Sequence, residues 1–104
     1  MPDERTRQVL ESFDRLLEHR VRLAIIVLLT RSDQLSFSRL KELTGQTDGN
    51  LGANLRKLEE AGYLEARKTH EDRRPVTWYS VTSRGLEALS QHIQALRELL
   101  GGAG

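Results

Sequence analysis

The hydrophobic period of this chain changes twice, and that limits the folds open to it. Up to Gly62, apolar residues recur at helical spacing. Residues 63–81 read as two short strands around a polar centre, and from Thr82 the helical spacing returns. Helices, one hairpin and a last helix make a mainly α protein with a small β element, an α+β fold. With 104 residues there is room for one domain and one core, and none for a second substrate-binding lobe.

Within the helical part, Val9, Leu10, Phe13, Leu16 and Leu17 share one helix face. Residues 23–29 are apolar without a break, which predicts a central helix buried on all sides. No Gly or Pro separates these two helices, so local chemistry does not force the break expected near His19. Residues 31–34 read as a loop, and Leu35 as a single bridge of strand. Ser36 is the expected N-cap of a short helix with Phe37, Leu40 and Leu43 turned inward. Gly45 suits the left-handed residue that ends it. Thr47 or Asp48 caps the next helix, which buries Leu51, Leu55 and Leu58 and stops at Gly62.

Strands are expected at 63–69 and 76–81, with 70–75 as the hairpin tip and Pro75 marking the edge of the turn. Alternation turns Leu64, Ala66, Tyr79 and Val81 to the core and Trp78 away from it. That lone Trp packs on a neighbouring helix or a partner subunit, the alternative being a stacked ligand. Thr82 caps the last helix. There Leu86, Leu89, Ile93, Leu96 and Leu100 follow at spacings of 3, 4, 3 and 4, an a/d seam.

Two helices at 36–43 and 48–61, joined by a Gly-containing turn, form a helix-turn-helix, and the hairpin behind them completes a winged helix. Here the chain resembles MarR/ArsR-like winged helix-turn-helix transcriptional regulators. Leu58-Glu59-Glu60-Ala61-Gly62-Tyr63-Leu64 is similar to the family's "LExxGyl" junction. Residues 73–85, from Arg73-Arg74-Pro75 to Arg84-Gly85, are similar to its wing and to the start of the helix behind it. His19-Arg20-Val21-Arg22-Leu23 and Thr47-Asp48-Gly49-Asn50-Leu51 resemble the domain opening and the start of the recognition helix. The likeness covers about residues 17–97. It implies a compact, stand-alone, prokaryotic regulator that binds double-stranded DNA as a homodimer, typically to repress a nearby promoter.

The residues support this independently. An α-helix fits the major groove and reaches base edges with its first turns. Asn50 suits adenine, Asp48 can accept from cytosine, and Thr47 with the free helix N–H groups suits a phosphate. Ala53, Asn54, Arg56 and Lys57 lie along the same helix. Gly49 and Gly52 leave room for close approach of DNA. Arg73 and Arg74 at the hairpin tip suit the narrow minor groove, and Lys68 and Thr77 suit phosphates. Near Gly52-Ala53-Asn54 the family usually carries longer polar side chains, so either the backbone does more of the contacting or sequence readout is modest. Arg39 and Lys41 fit either a backbone clamp or plain surface. Glu59 and Glu60 read as solvated, and Glu71 and Asp72 as local partners of the arginines. Dimerisation is assigned to Val9, Leu10, Phe13, Leu86, Leu89, Ile93, Leu96 and Leu100. Together these give one domain over 1–100: helix-turn-helix 36–62, wing 63–81, dimerisation helix 82–100. A flexible tail is expected over 101–104.

Charge and composition exclude more than they select. There are 16 Lys and Arg against 15 Asp and Glu, and residues 47–81 balance six against six. Bulk charge therefore does not argue for nucleic acid, and a protein-binding winged helix is the alternative reading. No cysteine is present, which removes disulfides, thiolate metal sites and cysteine nucleophiles and fits a reducing cytoplasm, while the family resemblance implies a nucleoid-associated, cytoplasmic setting. His19, His70 and His92 have no metal-binding spacing and read as surface residues. No nucleophile–base pair, paired acids or phosphate loop appears, so neither catalysis nor a cofactor is expected. A small-molecule effector stays open, with no residue set pointing to one. The longest apolar run is seven residues, against about 20 for a membrane span. The first residues lack the apolar core of a signal peptide, so none is expected.

Overall fold

The computed structural model describes residues 4–101. In order they form α1 (Glu4–Glu11), α2 (Arg20–Thr30), β1 (Leu35–Ser36), α3 (Phe37–Thr44), α4 (Asp48–Glu60), β2 (Leu64–Glu71), β3 (Arg74–Val81) and α5 (Ser83–Leu99). The three strands pair antiparallel in the order β1-β3-β2. This is the winged-helix α+β arrangement that the change of period implies. Residues 102–104 of the expected tail lie outside the described residues.

Local chemistry sets most boundaries. Ser36 Oγ accepts from Arg39 N, Thr47 Oγ1 from Asn50 N and Thr82 Oγ1 from Gly85 N, so a hydroxyl caps each of α3, α4 and α5. Gly45 closes α3 at φ 67°, a conformation that costs glycine little. One boundary differs from expectation. The first helix stops at Glu11 instead of running to Leu17. Ser12 Oγ donates back to Val9 O at 2.6 Å, and Asp14 Oδ1 accepts from Leu16 N and Leu17 N. These side chains offer the backbone partners that compete with the helix. Residues 12–19 become a connector of turns, from which His19 caps α2.

The core gathers around α2. Leu17, Ile25, Ile26, Leu29, Leu40, Leu51, Leu55 and Leu58 are the largest fully buried side chains. Burial of each contributes about 1.5–3 kcal/mol. α2 is not covered on every side, however. Ala24, Val27 and Leu28 are only half-buried and line an open groove of about 530 Å³ toward the end of α3. Leu43, expected inside, sits on that groove at 43% exposure. Ala66 is exposed as well: along β2 only Leu64, at the base of the strand, is buried.

The hairpin is longer and its turn tighter than expected. β2 and β3 run in register from Leu64↔Val81 to Glu71↔Arg74, which leaves Asp72 and Arg73 as a two-residue turn. Both have positive φ, 52° and 67°, the geometry that matches strand twist in a hairpin. Pro75 lies inside the ladder opposite His70. Since Glu71↔Arg74 closes the turn as a hydrogen-bonded pair, the next pair is non-bonded. The missing Pro75 N–H would point away from β2 and no ladder bond is lost.

Candidate nucleic-acid interface

The surface that would meet DNA consists of α4 and the hairpin tip. On α4, Thr47, Asp48, Gly49, Asn50, Ala53, Arg56 and Lys57 are all exposed, while Leu51, Leu55 and Leu58 anchor the opposite face. Asn50 Nδ2 is hydrogen-bonded to Gln46 Oε1, which braces it at the head of the helix. Asp48 Oδ1 receives Lys41 Nζ at 2.8 Å, an ion pair that ties the end of α3 to the start of α4. Lys41 thus holds the helix-turn-helix corner, and the Asp48 carboxylate is already partnered within the protomer. Arg39 stands 3.7 Å from Glu42 on the exposed side of α3.

On the hairpin, Arg73, Arg74 and Lys68 are exposed and Thr77 is half-buried. Arg73 occupies the left-handed region without being glycine. Such a conformation costs a side-chain-bearing residue about 1 kcal/mol or more. Trp78 does face away from the core. Its indole Nε1 donates to Thr69 Oγ1 at 3.2 Å and Glu71 Oε2 at 3.1 Å, which stiffens the outer side of the wing. Glu71 is therefore held by Trp78.

Asn54 is the residue that the structure moves out of the expected contact set. It is 5% exposed. Its Oδ1 accepts from Arg22 Nη1 at 3.0 Å, and its Nδ2 donates to Asn50 O at 3.0 Å. Arg22 also donates from Nε to Leu16 O at 2.7 Å. A half-buried cation at the head of an apolar helix needs acceptors of this kind, a signal present in the sequence but not read there.

The far end of α4 is tied to the same connector. Tyr63, just past α4, donates its hydroxyl to Asp14 Oδ2 at 2.5 Å, and Asp14 N donates to His92 Nδ1 at 3.2 Å. His92, expected at the surface, is buried on α5 with Phe13 edge-on at 5.2 Å. Burial and the Asp14 carboxylate push the Tyr63 phenol up to about 12, with Arg84 opposing. Tyr79 is pushed up too, by burial and by Glu59. A raised folded-state value means that the stabilisation is complete below the ordinary phenol value of 10.0 and is lost as pH climbs toward 12. Urea unfolding of wild type and Tyr63→Phe should show this. Wild type loses stability more steeply between pH 10 and 12, and the variant keeps only the Tyr79 part. Parallel profiles would contradict the assignment.

The seam expected for dimerisation divides in two. Val9 is buried at 4% exposure, where α1 packs on α5 of its own chain. Leu89 is in the central core at 9%, and Phe13 is half-buried beside His92. These three serve the protomer, because α5 has internal partners in α1 and α2 that the sequence did not disclose. Leu10, Leu86, Ile93, Leu96 and Leu100 stay open, at 55, 47, 39, 47 and 77% exposure.

Comparison with known proteins agrees with this geometry. The winged helix DNA-binding domain family matches residues 21–100. An uncharacterized protein of Methanocaldococcus jannaschii is 37% identical over 79 residues, covering 76% of this chain and 86% of the relative. A transcriptional regulator homologue from Pyrococcus horikoshii superposes with a TM-score of 0.82 at 27% identity, covering 96% of this chain and 97% of that one. A mutant MarR from E. coli shares the fold, with a TM-score of 0.69 at 19% identity over 97% of this chain and 77% of that one. No helix among the described residues is long and apolar enough to cross a membrane. The chain belongs to the winged helix DNA-binding domain family, and it shares its fold with MarR.

Proposed function

We propose that the chain is a homodimeric, sequence-specific transcriptional repressor. α4 enters the major groove and the tip at Asp72-Arg73 lies at the minor groove. Two-fold symmetry sets the two reading helices about 34 Å apart, one turn of DNA, on a pseudo-palindromic site. The exposed seam of Leu10, Leu86, Ile93, Leu96 and Leu100 joins the two copies.

The observation that carries the reading is Arg73. Glycine suits its backbone conformation, yet a cation stands there at the tip of an exposed hairpin. Strain retained at one point favours a use for that side chain. α4 supports the reading in the same way. An added Cβ at Gly49 or Gly52 would meet nothing within 4 Å, so no contact inside the protomer requires glycine there. Each glycine nevertheless costs a helix about 0.5–1 kcal/mol relative to alanine. An approaching phosphate backbone gives a reason for both.

The double variant Arg73→Gly, Arg74→Ala tests this without risking the fold, since glycine relieves the strained φ. Its thermal stability should equal or exceed that of wild type. Its affinity should fall on every DNA sequence, and the salt dependence should flatten. Four cations lost per dimer reduce the slope of log K against log salt by up to about 3.6. Unchanged binding would remove the wing from the interface. Absence of wild-type binding to any duplex at low salt would favour the protein-binding alternative.

A further inference from the structure

We propose that Asn54 and Arg22 are positioning residues that set discrimination between DNA sites by fixing α4, with Asn54 itself reading no base. The proposal rests on the DNA-binding reading above and deepens it. Asn54 is at the fourth helical position after Asn50, where the sequence pattern invites a base contact. Its side chain instead points inward at 5% exposure, with both polar atoms engaged. Arg22 is the fork between two structures. Nε holds the connector through Leu16 O at 2.7 Å, and Nη1 holds Asn54 at 3.0 Å. Asn54 passes the constraint on to the carbonyl of Asn50, in the first turn of α4, where base edges would be met.

The rigid planar geometry of the guanidinium is what allows this. Two donors at fixed spacing clamp two acceptors at once, whereas an ammonium offers a single point on a flexible stem. Binding constellations need placement within about 0.5 Å. A reading helix held only by apolar packing of Leu51, Leu55 and Leu58 can slide or rotate by more than that. Loss of the clamp should therefore blur contacts along the whole helix and leave phosphate attraction in place.

The test compares wild type, Asn54→Ala, Asn54→Asp and Arg22→Lys on a duplex selected from genomic fragments. It includes single-base variants of that duplex, a scrambled duplex, a salt series and thermal unfolding of each protein. Asn54→Ala and Arg22→Lys should lose about tenfold in affinity for the selected site, the size of one good base contact, spread over several base positions. Affinity for the scrambled duplex and the salt slope should stay at wild-type values. Asn54→Asp keeps the acceptor facing Arg22 but loses the amide donor to Asn50 O, so it too should lose discrimination spread over several base positions. If Asn54→Ala does not fold, Arg22→Lys carries the comparison, because it keeps the charge and most of the volume. Loss at one base position only, shared by Asn54→Asp, would make Asn54 a direct reader and overturn the proposal. Lower stability with discrimination intact would reduce the pair to scaffolding and overturn it as well. Wild type with no preference among duplexes is a different failure, that of the function reading itself.

Discussion

Replacing Ile93 and Leu96 together with aspartate is expected to leave a folded monomer that has lost at least about 100-fold in affinity for its full DNA site. Both side chains are already largely exposed, at 39 and 47%, so the protomer loses little by the change. Leu86 and Leu100 on α5, and Leu10 on α1, are further exposed apolar side chains. In a two-fold dimer each aspartate would meet its own copy or another apolar side chain, and burial of unpaired charge there is prohibitive. Two linked half-sites bind more tightly than one by about 10²–10⁴-fold, through effective concentration alone. Light scattering should give a mass near 11.9 kDa for the variant and twice that for wild type. A variant that still pairs would move the interface elsewhere. A monomer with undiminished DNA affinity would disconnect pairing from binding.

Gly85→Ala is expected to destabilise the chain by about 3 kcal/mol, at the upper end of overpacking costs. A Cβ at Gly85 would stand 2.4 Å from Tyr63 O and 2.8 Å from Val81 Cγ2. The backbone oxygen cannot step aside, because Tyr63 O accepts from Thr82 N at 3.0 Å. Thr82 in turn donates to Gly62 O at 2.7 Å while capping α5. Alanine gains helix propensity of about 1 kcal/mol over glycine, and the overlap outweighs that gain. In a chain of this length the melting temperature should fall by roughly 10 °C or more. A loss below about 1 kcal/mol would mean that the start of α5 is not docked this closely.

What was legible in the sequence, and what was not, follows the range of the interaction concerned. Ser36, Thr47 and Thr82 cap helices through hydrogen bonds to residues three positions on, and such pairs can be read locally. The order of helices, hairpin and last helix likewise follows from apolar spacing. The turn at Asp72-Arg73 was less legible, because the usual glycine signal is absent. The inward turn of Asn54 could not be read locally, because its partner, Arg22, is 32 positions away. The same is true of Asp14, joined to Tyr63 and His92 across 49 and 78 positions. The α5 seam shows a further limit. Leu89 and Leu96 have the same heptad register, yet only the first finds the core, since the buried face of α5 runs on through His92 and Ala95.

The most direct test of the central claim is the stoichiometry and salt dependence of wild-type binding to a duplex selected from genomic fragments. Sedimentation and anisotropy are measured together from about 50 to 200 mM salt. The account predicts two chains per duplex and a linear fall of log K with log salt. It also predicts weak binding to scrambled DNA, as a charge balance of six against six over residues 47–81 requires. A chain that stays at 11.9 kDa and binds no duplex at about 50 mM salt would contradict it.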